Sequence, residues 1–461
     1  MHNGEVSFWW QQRGLAPRRP SLPASTEADV CIVGGGYTGL WTAYYLTRAE
    51  PGLHVVVVEQ AFAGFGASGR NGGWVSAALP GSRSRYAEGS RGTEGVRALE
   101  QALRDTVDEV GRVCEDEGID AGYVKGGVLT VARSAAQGAR LRDKFDRDRA
   151  WGDGADVVSY LDRDALAARM NVTDAVGALY SPHCARIQPA RLVADLAEAV
   201  VRSGVELYEA TPVTALAPGQ VSTAFGTVRA RYVLRCTEGF TSRLPGLRRK
   251  LLPMNSTMIV TEPLSDAIWD QIGWGGCELL GDEAHAYMYA QRTADGRIAI
   301  GGRGIPYRYA SGLDDRGTVA PATVMQLTEI LHAMFPATAS AGIAHAWCGV
   351  LGVPRDWCAS VTLDRATGLG YAGGYSGHGV AASNLAGRTL ADLVRGARSE
   401  LVTLPWVGHR WRSWEPEPLR WTGVHSLYTL YRAADRLETR AGKPATSPLA
   451  RMGDLISGIP H

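Results

Sequence analysis

No Cys-x-x-Cys pair occurs among the seven cysteines (Cys31, Cys114, Cys184, Cys236, Cys277, Cys348 and Cys358), and their number is odd. Neither a disulfide framework nor a zinc site is thereby suggested, so we expect no metal centre and read the thiols as those of a protein in a reducing cytoplasm. No apolar run approaches the ~20 residues that a spanning helix needs. The first twenty residues also lack the hydrophobic stretch and small-residue cleavage site of a secretory signal. Charge of one sign is missing too: 48 Lys and Arg against 47 Asp and Glu leave a net charge of +1. There is accordingly no global electrostatic case for nucleic acid or an anionic membrane as partner. Internal repeats and low-complexity segments are absent. What remains is a globular chain of 461 residues, 45% hydrophobic, long enough for two or three domain-sized units.

Residues 29–73 carry the first positive signal. The apolar, β-branched run Val30-Cys31-Ile32-Val33 drops straight into Gly34-x-Gly36-x-x-Gly39; Leu40, Ala43, Tyr44 and Leu46 then recur at helical spacing, and a second apolar run over 54–58 ends at Glu59. Strand, tight glycine turn, helix and parallel strand within about thirty residues is the spacing of a dinucleotide-binding βαβ unit. Gly34 permits the sharp turn, Gly36 lets the backbone approach a pyrophosphate, and Gly39 lets the helix pack closely on the sheet. The helix N-terminus turns unpaired N–H groups toward the phosphates. Glu59 stands in register to accept hydrogen bonds from ribose hydroxyls, which disfavours a 2′-phosphate. A glycine fingerprint alone also fits a surface turn; the strand before it, the helix after it and the carboxylate in register argue for the nucleotide.

A second small-residue loop follows, Gly64-Phe65-Gly66-Ala67-Ser68-Gly69-Arg70-Asn71-Gly72-Gly73-Trp74, and some 300 residues later comes Gly373-Gly374-Tyr375-Ser376-Gly377-His378-Gly379 between a strand-like and a helix-like stretch. With these motifs the chain resembles the D-amino-acid oxidase-like FAD-dependent oxidoreductases (glycine oxidase, sarcosine oxidase), in particular the γ-glutamylputrescine oxidase type, over roughly residues 29–394. The resemblance implies FAD. It carries cofactor contacts onto Gly34, Gly36, Tyr37, Thr38, Gly39 and Glu59, onto Gly66, Ala67, Ser68, Arg70, Asn71, Gly72, Gly73 and Trp74 of the loop, and onto Val213, Thr237 and Gly349. The last motif adds Gly374, Tyr375 (where the family has Phe), Gly377, His378, Gly379 and Val380. Cys348 lies near where sarcosine oxidases attach FAD through a cysteine, but Trp347-Cys348-Gly349 looks more like the Trp-x-Gly of noncovalent members, so noncovalent FAD is expected. Glu238 departs from the small-residue turn usual at that place and receives no role.

The resemblance further implies an α/β fold in which a Rossmann-like FAD-binding domain (29–91, 180–250 and 346–400) is interleaved with an α+β substrate domain on a mixed sheet (92–179 and 251–345). An arm (1–28) precedes them, pinned to the body by Phe8, Trp9 and Trp10, and a Trp- and Arg-rich tail (401–461) packs on the body. Periodicity predicts helices over 92–118, 135–149 and 323–334, and strands over 213–216, 221–225, 227–229, 232–234, 254–261, 286–291 and 297–301.

For catalysis, His285, Tyr287 and Tyr289 share one face if their segment is a strand, because side chains alternate with a period of two. Such a face can line an amine pocket, although a half-buried strand with solvated polar tips has the same pattern. Arg303 joins them as a candidate; Arg292, Arg303 and Arg308 could meet a substrate anion or form ordinary ion pairs. Ala299 stands where sarcosine oxidases carry the lysine that promotes reaction with oxygen. Ala77 and Ala381 stand near their carboxylate clamp, which disfavours a small N-methyl amino acid. The expected reaction is hydride transfer from an amine C–H to flavin N5, giving an imine that hydrolyses to a carbonyl compound, with molecular oxygen or another acceptor taking the electrons. The expected substrate is an amine with a distal anionic group (a γ-glutamyl amine, amino acid or aminophosphonate), for which Lys125, Arg303 and Arg308 are available. Dehydrogenation of a hydroxy acid or polyol on the same fold, and a non-enzymatic flavin-binding protein, are the alternatives.

Overall fold

The computed structural model describes residues 1–302 and 307–457. In chain order, the elements that build the site are β1 (Thr26–Val33), α1 (Tyr37–Ala49), β2 (Val55–Val58), β3 (Glu206–Tyr208), β4 (Gly226–Arg235), β5 (Leu252–Thr261), β6 (Met288–Arg292), β7 (Ile298–Gly302), β8 (Ile343–Val353), β9 (Leu369–Gly373) and α2 (Gly379–Arg395). The end of β1 and all four valines of β2 are buried, the pattern of a parallel sheet covered on both faces. β3, β2, β1, β4 and β9 run parallel in that spatial order. Their carboxyl ends therefore share one edge, where open α/β sheets bind ligands. The strands predicted over 227–229 and 232–234 are one ten-residue strand, β4, which changes neighbours midway: it pairs with Gln220–Thr223 at its start and with β9 at its end.

The second sheet has nine strands. Its centre is the antiparallel run β8, β5, β7, β6; Leu279–Asp282, Val128–Ala132, Gly177–Ser181 and Ser159–Leu161 extend one side, and His2–Asn3 lies along β8 on the other. The domain boundary expected at 346 falls inside β8, which pairs with β5 from Ile343 to Val353. Residues 346–353 thus belong to this sheet. β8 is buried on both faces, which erases the alternation by which a strand is read from sequence. The segment predicted as strand 286–291 begins only at Met288, leaving His285 and Tyr287 outside it.

The arm and the tail pack on the body. Phe8, Trp9 and Trp10 are buried in the short helix Phe8–Arg13, and Trp406, Trp411 and Trp414 are buried ahead of the tail helix Leu419–Ala441. No helix among the described residues is long and apolar enough to cross a membrane.

α1 and α2 are in close backbone contact. A Cβ at Gly387 would lie 2.7 Å from Cβ of Trp41 and 2.8 Å from the Thr42 nitrogen. Gly387→Val should therefore cost about 1–3 kcal/mol by overpacking and lower the thermal midpoint of the apoprotein by several degrees. Gly423→Ala, in an exposed helix with nothing within 4 Å of its Cβ, should leave the midpoint unchanged or raise it; equal effects of the two would contradict this packing.

Candidate active site

A cleft of about 1190 Å³, the open solvent at its mouth included, lies between the carboxyl ends of β1, β2 and β4, the N-termini of α1 and α2, and Val350 and Leu351 of β8. Of the residues expected to hold the cofactor, Gly34, Gly36, Tyr37, Thr38, Glu59, Gly66, Ala67, Ser68, Asn71, Val213, Thr237, Tyr375, Gly377, Gly379 and Val380 line it. Neither helix has a side-chain cap or an acidic residue in its first turn. Two helix N-termini thus bring unneutralised positive dipole ends to one cleft, which suits a pyrophosphate. At Gly36 a Cβ would stand 2.9 Å from Ser68 Oγ, the hydroxyl that accepts the Tyr37 N–H at 2.8 Å. A side chain at this position would displace the Ser68 hydroxyl and stand in the cleft. Glu59 accepts from the backbone N–H groups of Gly35 and Ala61, at 2.8 and 2.9 Å, while burial pushes its carboxyl above the ordinary range against those bonds. Thr38 Oγ1 and Tyr375 Oη are 3.0 Å apart, joining the first and last motifs. Uncapped helices, a carboxylate at the end of β2 and a bare backbone at Gly36 fit FAD.

The remaining cofactor candidates shape the cleft without lining it. Gly39 seats α1: a Cβ there would be 2.0 Å from the Gly34 carbonyl oxygen. Arg70 turns away and ties its loop to the second sheet, donating to the carbonyls of Phe65 at 2.9 Å and Asp315 at 3.0 Å. Gly73 admits Gln291, whose amide donates to the Gly72 carbonyl at 2.7 Å. Gly349 packs on Arg70 and Gly374 on Trp411, and His378 forms the N-cap position of α2. The arm holds the same loop, through Ser7 Oγ to the Gly69 carbonyl at 2.5 Å and Trp9 Nε1 to that of Asn71 at 2.8 Å. Cys348 packs with Ile259 and Ile300 in a core distinct from the one that takes in its neighbour Trp347, and burial pushes its thiol up to about 11. A buried, protonated thiol of this kind is inert, in keeping with noncovalent FAD.

The catalytic candidates separate. Tyr289 lies against the loop after β2: its ring would meet a Cβ at Gly72 at 2.8 Å and one at Gly301 at 2.3 Å, so two glycines make room for it, and its hydroxyl is 2.7 Å from Ser256 Oγ. Trp74 stands edge-on to Tyr289 at 6.2 Å, and its buried indole N–H has no partner among the described residues. His285, by contrast, bonds Glu438 at 3.0 Å and stacks on Tyr431, with its backbone N–H on Asp435. It is a docking point for the tail helix, because the chain has not yet entered β6 and the period-of-two argument does not reach it. Tyr287, half-buried, also precedes that strand. Arg303 lies outside the described residues. Of the other cations, Arg292 lies over Trp269 at 4.1 Å, Arg308 pairs with Asp314 at 2.9 Å and Lys125 with Asp108. Ser256, on the unremarkable run of β5, was missed; only its place across the sheet from Tyr289 marks it.

A parallel-sheet cleft with two uncapped helix N-termini, faced by the antiparallel centre of a second, mixed sheet, suits a dinucleotide cofactor. Residues 29–393 match the model of the family described as DAO, FAD dependent oxidoreductase, and the chain belongs to that family. It is 33% identical over 392 residues to gamma-glutamylputrescine oxidoreductase of Escherichia coli (strain K12), covering 82% of this chain and 85% of that one. In fold it is similar to glycine oxidase from Geobacillus kaustophilus, with TM-score 0.70 and 21% identity over 84% of this chain and 100% of that one. L-proline dehydrogenase from P. horikoshii gives TM-score 0.68 and 17% identity over 82% and 96%. The chain is an FAD-dependent oxidoreductase.

Gly36→Val should fold but purify without FAD, read from the visible flavin absorbance against protein. In the parent holoprotein, acid precipitation should release all the flavin to the supernatant; yellow colour kept in the pellet would contradict the burial of Cys348.

Proposed function

We propose that the protein oxidises a primary or secondary amine at the end of a longer molecule, the amine carbon losing a hydride and the resulting imine hydrolysing to a carbonyl compound. The observation that carries this reading is the corner of Tyr289, Ser256 and Trp74, one residue beyond Asn71 of the cleft wall, walled by aromatic rings and bare glycine backbone. FAD, when bound, supplies the hydride acceptor N5. The chain's part is to orient the amine carbon and exclude water. An apolar wall lowers the pKa of a bound amine and so enriches the neutral form, whose lone pair assists hydride departure. The Tyr289 and Ser256 hydroxyls offer a paired donor and acceptor for that nitrogen, and the unused Trp74 N–H suits an acceptor oxygen on the same molecule.

We further propose that the distal end is anionic, as in a γ-glutamyl amine. Supporting this are the 33% identity to a gamma-glutamylputrescine oxidoreductase and the apolar residues Ala77 and Ala381 where a short substrate's carboxylate would be clamped; Ala381 is fully buried. Of the cations expected at that end, Arg308 is paired with Asp314 and Lys125 with Asp108, and Arg303 lies outside the described residues. Molecular oxygen or another acceptor would take the electrons, in the cytoplasm.

The test is anaerobic mixing of the holoprotein with amines bearing neutral, cationic and anionic tails, followed at the flavin absorbance. The anionic-tailed amine should bleach it fastest, and Tyr289→Phe should slow that bleaching roughly tenfold or more by loosening the amine. Faster reduction by a bare polyamine would overturn the anionic tail. Reduction by hydroxy acids and by no amine would overturn the amine.

A further inference from the structure

Glu238 lies just beyond β4, where the cofactor sheet meets the last glycine turn. Its backbone has φ +42°, a region that residues with side chains rarely occupy. Glu238 is a lining residue of the cleft, and its carboxylate accepts two N–H bonds from the turn, from Gly374 at 3.0 Å and from Tyr375 at 3.2 Å. Tyr375 in turn reaches Thr38 in the first turn of α1. On the far side the carboxylate abuts β8, where a Cβ at Gly352 would be 2.5 Å from its oxygen. The end of β4, the turn and β8 therefore meet on one acid, and a small residue here, as in the family pattern, could hold none of them.

The charged and titratable groups around it are few. Arg235 and Cys236 come from the end of β4 and Tyr375 from the turn; Arg235 donates to Thr241 at 2.8 Å and lies over the ring of Tyr371 at 4.9 Å. Arg243, on the same 3-10 turn as Glu238, is paired with Asp315 at 2.7 Å. Glu238 has no ion-pair partner among the described residues. Burial pushes its carboxyl up to about 7, against the opposing pull of the two N–H bonds and Arg235.

We propose that Glu238 is a positioning residue that holds the glycine turn against the cofactor and, through its own charge, sets how the reduction potential of bound FAD varies with pH. Two electrons and one proton convert FAD to its anionic reduced form. An ionised carboxylate on the same cleft wall opposes that new negative charge, so the carboxylate takes up a proton of its own when the electrons arrive: one further H⁺ from water, forming the O–H bond of the acid, with no bond broken in the protein. The sign follows directly. Below the acid's range Glu238 is already neutral and has no effect; above it the charge makes reduction harder.

The proposal rests on FAD binding alone, since the test needs no substrate. Parent and Glu238→Gln holoproteins are reduced by xanthine and xanthine oxidase in the presence of redox dyes, and the midpoint potential is read between about pH 5 and 9. The parent's potential should fall more steeply through neutrality, the two curves meeting at low pH and the variant lying more positive at high pH. Parallel curves would overturn the charge role, as would a variant more negative at high pH. Glutamine keeps one acceptor oxygen, whereas Glu238→Ala keeps none. The alanine variant should therefore bind FAD about tenfold or more weakly than the glutamine variant, read by flavin fluorescence on reconstitution. Equal affinities would overturn the positioning role. If circular dichroism shows the alanine variant unfolded, rescue of FAD binding by Glu238→Gln alone supports it, and loss in both variants overturns it.

Discussion

The site depends on how close α1 comes to the strand that precedes it. At Gly39 the helix backbone lies where any Cβ would sit 2.0 Å from the Gly34 carbonyl, and this contact sets the height of the first helical turn above the sheet edge. Seated so, Tyr37 presents its N–H to Ser68 and Thr38 reaches Tyr375, 337 residues along the chain. Three loops are thereby tied together by one close backbone approach and two neutral hydrogen bonds to side-chain hydroxyls. Charge contributes little to that alignment, so salt, which screens exposed ion pairs, should disturb it little.

The cofactor half was legible in the sequence because its requirements fall on residues with no substitute. A turn at Gly34, a bare backbone at Gly36 and two glycine-rich loops can be spelled in few ways. The substrate half was legible only in part. His285 takes its meaning from Glu438, 153 residues later, and no local pattern announces such a partner. β8 is buried on both faces and so shows no alternation. The arginines illustrate the limit most plainly: a guanidinium pairs as readily with Asp314 or the face of Trp269 as with a ligand, and composition does not distinguish them. Glu238 could be seen as an anomaly from sequence, but its hydrogen-bond partners stand 136 and 137 residues away.

Side-chain donors reaching backbone carbonyls help to join the two sheets. Gln291 donates to Gly72, Trp347 Nε1 to the Arg70 carbonyl at 2.9 Å, and Arg70 back to Asp315. Every one of these bonds ends on the loop after β2 or begins there. A single loop thus serves as cofactor wall and as the seam between the halves, so a change on the substrate side is felt at the flavin by direct contact.

That seam also orders events in time. Ser7 and Trp9 close over the loop at Gly69 and Asn71, while His2 and Asn3 lie alongside His345 and Ala346 of β8. During synthesis the arm leaves the ribosome some 340 residues ahead of the strand it must join, so it waits without its partner while the first βαβ unit can already form. The contacts of His2 and Asn3 with β8 are consequently among the last to be made, whereas Ser7 and Trp9 lie only 62 residues from the loop they clasp and can close on it as soon as it has emerged.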